Sequence, residues 1–180
     1  MGEAIRHGFA NLTNFSGRDS RPLFWWWVLL IAVVVFGLRM ISGIVFAVGS
    51  MGSAMQAGAA GIDQEQIQTD MMRNMAGSLE TQAWIGVAIS LIGLFLLTAS
   101  FVRRLRDAGL PVLIAIIPVI ATLIAAYASV AGVEQMQQLM MSGDVQAMDE
   151  AATKPDLGLV AYVGYLVVIV CGLIPSRNAP

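Results

Sequence analysis

Residues 23–48 read LFWWWVLLIAVVVFGLRMISGIVFAV, with Arg39 as their single charge. A helix rising 1.5 Å per residue needs about 20 apolar residues to cross a hydrocarbon core about 30 Å thick, so this stretch is long enough to span a bilayer. A barrel strand is excluded, because the run is continuous rather than alternating. Three further stretches have the same character. Ala83 to Val102 and Leu110 to Val130 carry no charge, and Leu157 to Ile174 is short enough that its ends reach the interface. The expectation is an all-α membrane protein: a four-transmembrane-helix bundle with spans at 23–48, 83–102, 110–130 and 157–174. It is flanked by an N-terminal segment, 1–22, and a tail, 175–180.

Composition supports this reading. Of 180 residues 57% are hydrophobic and 12% charged, with a mean hydropathy of +0.74, whereas soluble domains carry nearer 25% charged residues. One cysteine, Cys171, excludes an internal disulfide framework, and one histidine, His7, excludes histidine-rich metal clusters. Residues 1–21 lack the apolar core of a cleavable signal peptide, so the first span is expected to remain as an anchor.

Charge distribution orients the spans, since Lys and Arg stay preferentially on the cytoplasmic side. The side of both termini carries Arg6, Arg18, Arg21, Arg103, Arg104, Arg106 and Arg177 against Glu3, Asp19 and Asp107. The opposite side carries Arg73 and Lys154 against nine acidic residues. Both termini are therefore expected in the cytoplasm. Trp25, Trp26 and Trp27 at one end of the first span, and Trp84, Tyr127 and Tyr162 near the other ends, suit the two interfaces.

The connection from Arg103 to Gly109 forces an antiparallel hairpin, with Gly109 at the turn, Pro111 opening the next span and Pro118 expected to kink it. The two outer segments, Gly49 to Gln82 and Ala131 to Pro155, are acidic and rich in Met, Gln and Ala. Ile67, Met71, Met75 and Leu79 recur at helical spacing, as do Met136, Leu139, Met140 and Gly143, so each segment is expected to hold a short amphipathic helix. Ile5, Phe9 and Leu12 share a helical face beside Arg6 and His7, which predicts a short helix on the inner membrane surface.

Two strings stand out: Phe15-Ser16-Gly17-Arg18-Asp19-Ser20-Arg21 followed by Phe24-Trp25-Trp26-Trp27, and Val102-Arg103-Arg104-Leu105-Arg106-Asp107-Ala108-Gly109. From about Asn14 to Asn178 the chain resembles the small bacterial inner-membrane proteins of domain-of-unknown-function family 805. Their pattern is an F-x-GR-x-S-R-x-x-[FY]WW stretch followed by RRLHD-x-G before another span. The resemblance implies a polytopic inner-membrane protein and supplies no catalytic residues. Here Arg106 stands where the family usually has His, Leu110-Pro111-Val112-Leu113 replaces a polar turn, and Asn178-Ala179-Pro180 replaces an Asn-x-[FY]-Gly-Pro tail.

Arg18, Arg21, Arg103, Arg104 and Arg106 form the first candidate site. Guanidinium groups bind phosphate bidentately, so the cluster suits anionic phospholipid head groups or a phospho-ligand. The alternative is that these residues only set topology, partly paired with Asp19 and Asp107, with Arg103 and Arg104 favoured at a helix C-terminus. Arg39 is the second candidate, an intramembrane charge that either lines a cavity or snorkels to the nearby interface. Snorkelling is the simpler reading, because no acidic residue lies within the other spans. The outer methionines, including Met71, Met72 and Met75, suit packing or partner contact better than Cu(I), since no His or Cys accompanies them. Gly86, Ser90 and Gly93 give the second span a small-residue packing face.

The leading functional expectation is a non-enzymatic structural or regulatory membrane module that binds anionic lipid, a protein partner or a second copy of the chain. The alternative is a small transporter or channel for an anionic solute passing Arg39. No acid–base pair, cofactor motif or nucleic-acid signature is present, so neither an enzyme nor a nucleic-acid partner is expected.

Overall fold

The computed structural model describes residues 2–59, 64–142, 146 and 157–177. Among them the chain forms five α-helices: α1 (Gly2–Ala10), α2 (Arg21–Ala59), α3 (Gln64–Ala108), α4 (Ile116–Ser142) and α5 (Val160–Leu173). Short 3-10 turns at Val112–Ala115 and Leu157–Leu159 lead into α4 and α5. No strand occurs among the described residues. α2 packs along α3, α3 along α4, and α4 along α5, while α1 lies against α2.

Three helical stretches, Arg21–Gly49, Gly77–Ala108 and Val112–Leu139, are long and apolar enough to cross a bilayer. The fourth apolar stretch, Leu157–Leu173, is shorter, rising about 25 Å against a core of about 30 Å. The outward faces of these helices are apolar: Val33, Phe36, Phe95, Leu123, Tyr127 and Leu166 are all more than half exposed. In water so much uncovered apolar surface would drive association, whereas hydrocarbon solvates it.

The end of the molecule that holds α1 and the C-terminal tail is called the basic end here, and the opposite one the far end. The core is concentrated at the basic end, where Phe24, Phe101, Val102, Leu105, Ala115, Val168 and Cys171 form one buried cluster. Two glycines set the packing there. A Cβ on Gly172 would lie 2.7 Å from the Phe24 ring, and one on Gly8 would lie 2.2 Å from the Trp27 ring, so each glycine lets a helix seat directly on an aromatic face. Phe9 meets the same Trp27 edge-on at 5.2 Å, and the indole N–H of Trp27 donates to the Leu96 carbonyl at 3.1 Å.

One expectation about the elements is corrected. The separate amphipathic helix at Ile67–Leu79 is instead the first part of α3, which runs unbroken for 45 residues. Between Gln64 and Ala83 there is no proline, and Met, Gln, Glu, Leu and Ala are good helix formers, so nothing halts the helix before the membrane stretch begins. Likewise Met136 and Leu139 lie on the continuation of α4. Residues 143–145 and 147–155 of the second outer segment, Gly143 and Met148 among them, lie outside the described residues. Pro118 sits in the first turn of α4, just after the 3-10 turn, where a missing N–H costs the helix little.

Candidate functional site

The site at the basic end is built on the last two turns of α3. Phe101, Leu105 and Ala108 face the core at i, i+4 and i+7 spacing. At 3.6 residues per turn adjacent side chains diverge by about 100°, so Arg103 and Arg104 cannot share one patch. They reach opposite flanks, and both are buried.

Arg103 turns toward the N-terminal segment. Its Nε donates to Asp19 Oδ1 at 2.8 Å, and Nη1 donates to the carbonyls of Asn11 and Asn14. Asp19, itself only 2% exposed, also accepts from Ser100 Oγ at 2.7 Å and lies 3.1 Å from His7 Nε2. The buried carboxylate is thus matched by a buried guanidinium and further hydrogen-bonding groups, the condition under which such a pair is tolerated. The loop that delivers Asp19 turns at Gly17, whose φ of +96° is open to glycine and strained for other residues.

Arg104, fully buried, turns toward the C-terminal tail. One terminal nitrogen pairs with Asp107 and reaches Ser176 Oγ, and the other donates to the carbonyls of Gly172 and Ile174. Its Nε has no partner among the described residues. Arg21 donates to the carbonyl between those two, Leu173. The last carbonyls of any helix lack intrahelical donors, and here two guanidiniums supply them. α5 stops at Ile174, extended with ψ 135°, because the residue before a proline is barred from the helical region. The tail then returns to α3: Ser176 Oγ bonds Asp107, and the Arg177 N–H donates to the Asp107 carbonyl at 3.0 Å.

The end of α3 is a Schellman turn. Gly109, at φ +72°, donates to the Arg106 carbonyl, and Leu110 donates to the Leu105 carbonyl. The string Arg103 to Gly109 therefore serves three ends at once: it terminates α3, holds the N-terminal loop and caps α5.

Of the five arginines expected to form one anion site, Arg103 and Arg104 are enclosed, each against its own acid, while Arg18, Arg21 and Arg106 lie at the surface. Arg106 donates to the Phe15 carbonyl from that exposed position. Asp19 was expected only as a partial partner of the arginines, and His7, Ser100 and Ser176, which help it and Asp107, are residues that sequence reading passed over or left as lone side chains. The available signal was spacing: Ser100 with Arg103 and Arg104 with Asp107 are both i, i+3 pairs.

At the far end Arg39 turns toward α3, where its Nη2 donates to Ser90 Oγ at 2.8 Å. It lines a cleft of about 650 Å³ between α2, α3, α4 and the start of α5, together with Ser42, Gln82, Gly86, Ser129 and Tyr162 among others. Of the two glycines on the expected packing face, Gly93 lies against a neighbouring helix, where an added Cβ would be 3.0 Å from Val35. Gly86 and Ser90 face the cleft. Among the described residues no group of three His, Cys, Asp or Glu side chains is placed to hold a metal ion. The side chains of Met71, Met72 and Met75 lie outside the described residues.

No curated protein and no solved structure matches the chain. A family model described as "Protein of unknown function (DUF805)" matches residues 12–180. That range takes in both strings around Asp19 and Arg104, and the chain belongs to the DUF805 family.

Proposed function

We propose that the chain is a non-enzymatic, four-span module of the bacterial inner membrane, with both termini in the cytoplasm and a basic rim that holds anionic phospholipid head groups. α5 with its preceding turn acts as the fourth span, the bilayer thinning locally or polar flanks reaching the interface to cover the few missing ångströms. One observation carries the lipid reading. Asp19 is enclosed with Arg103, and Asp107 is paired with buried Arg104, so the two acids nearest the arginines are spent internally. The exposed rim at this end then holds Arg6, Arg18, Arg21, Arg106 and Arg177 against Glu3. Near an anionic leaflet each such arginine gains about 1 kcal/mol. A protein partner with an acidic surface, or a second copy of the chain, would use the same rim.

The buried polar cluster is consistent with a non-enzymatic role, since its Ser100 and His7 both address Asp19 rather than each other. A transporter or channel for an anionic solute would use Arg39, but below Arg39 the space between the helices is apolar, with no second cation to pass an ion onward.

The test is native mass spectrometry of protein released from nanodiscs containing phosphatidylglycerol and phosphatidylethanolamine. Wild type is expected to retain phosphatidylglycerol, and the Arg18→Gln, Arg106→Gln double variant to lose most of it while its thermal stability stays near wild type. Equal retention by the two proteins would remove the rim as a lipid site.

A further inference from the structure

We propose that the far-end cleft is a binding site for an anionic amphiphile, a single molecule with a phosphate or carboxylate head on Arg39 and an alkyl tail running down between the helices. This site is separate from the basic rim, and its argument does not depend on the rim binding lipid.

The head position follows from Arg39. Among the described residues no carboxylate lies within ion-pair distance of its guanidinium, and its hydrogen bond goes to the neutral Ser90 hydroxyl. Ser90 Oγ in turn donates to the Gly86 carbonyl at 2.8 Å, which leaves the serine as an acceptor for the arginine and not as a counter-charge. A guanidinium held by one neutral partner at the wall of a cleft is arranged for an incoming anion, which it can bind through two N–H groups. Gln82 on α3 and Tyr162 on α5 also line the cleft and add polar groups to it. Sixteen residues separate Leu23 from Arg39, about 24 Å at 1.5 Å per residue. That places the guanidinium near the far boundary of a core about 30 Å thick, level with lipid head groups.

The tail position follows from what lies beneath. A second cavity, about 270 Å³, shares Ser90, Thr122, Ala161 and Tyr165 with the cleft and continues toward the basic end. On α2 it is lined by Val35, Ala32, Ile31 and Val28, which recede from Arg39 at the three- and four-residue steps of one helical face. Leu94, Leu97, Val168 and Ile169 close the other sides. The hydroxyl of Thr122 is already spent on the Pro118 carbonyl at 2.8 Å. The deep chamber therefore offers little to an ion and suits a hydrocarbon chain. A charged group above a dry apolar slot is complementary to a molecule that is itself charged at one end and apolar at the other.

The experiment uses the full-length protein in zwitterionic nanodiscs and three probes, dodecyl phosphate, dodecylphosphocholine and inorganic phosphate, read by native mass spectrometry and titration. One saturable dodecyl phosphate is expected, bound at least about tenfold more tightly than either other probe, since charge-assisted hydrogen bonds and chain burial both contribute. Arg39→Leu should lose about tenfold for dodecyl phosphate, and Arg39→Lys should recover most of that loss. Ala32→Phe, which narrows the chamber, should weaken dodecyl phosphate while leaving the protein's elution profile unchanged. Equal affinity for inorganic phosphate would make the site one for a free anion and overturn the tail. Equal affinity for dodecylphosphocholine, or unaltered binding by Arg39→Leu, would overturn the head. The three-probe comparison on wild type decides the matter even if a variant fails to fold.

Discussion

The two ends of the bundle treat arginine in opposite ways. At the basic end Arg103 and Arg104 are buried, each set against a carboxylate and also against chain carbonyls that come from segments far away in sequence. At the far end Arg39 is exposed to an open cleft and held by one serine. The same side chain is a structural bracket in one place and an unneutralised charge in the other. What decides is the supply of acceptors: the basic end gathers the carbonyls of Asn11, Asn14, Gly172, Leu173 and Ile174, whereas the helix walls at the far end keep their carbonyls in intrahelical bonds.

If that contrast is correct, removing the bracket should cost far more than removing the free charge. Arg104→Ala takes the guanidinium from Asp107 and strands the carbonyls of Gly172 and Ile174, and losing one partner of a buried ion pair typically costs about 3–5 kcal/mol. Denaturation in detergent should show it as the largest loss of stability, and a near-neutral result would dissolve the contrast. Gly8→Leu is expected to act next, because its side chain would occupy the space of the Trp27 ring. The helix α1 should lift off, with overpacking costing about 1–3 kcal/mol. Hydrogen exchange over residues 2–14 should rise while α3 and α4 keep their protection. Arg39→Leu should do least, within about 1 kcal/mol of wild type, since it gives up one exposed hydrogen bond and removes a charge from a membrane helix. A loss as large as that of Arg104→Ala would mean that Arg39 is a second bracket.

Much of the framework was readable from residue order. Three uninterrupted apolar runs, the Arg103–Gly109 hairpin with its glycine, and the pairing of arginines with Asp19 and Asp107 all follow from hydropathy, turn chemistry and charge. Other features were not readable, for a physical reason common to them. That Arg103 and Arg104 part company is implied by helical geometry, but their destinations depend on where the loop around Gly17 and the stop at Pro175 bring distant carbonyls. Gly8 and Gly172 look like weak points in their helices until Trp27 and Phe24 are seen against them. Periodicity in the outer segments identified helix without showing that it joined the membrane helices, because apolar spacing has no mark for continuity. The cleft was hidden because Gly86 and Ser90 read as packing residues when the neighbouring helix cannot be seen to stand away.

The capping of α5 by Arg104 also bears on how the chain is made. The carbonyls that receive this guanidinium lie 68 and 70 residues downstream, so they do not exist when the end of α3 leaves the ribosome. During synthesis Asp107 is the one acceptor at hand, three residues away. The bracket closes after α5 has formed and the tail has turned back, so the C-terminal helix completes the end of α3. A chain cut short before Gly172 therefore retains an arginine whose distant carbonyl acceptors never arrive.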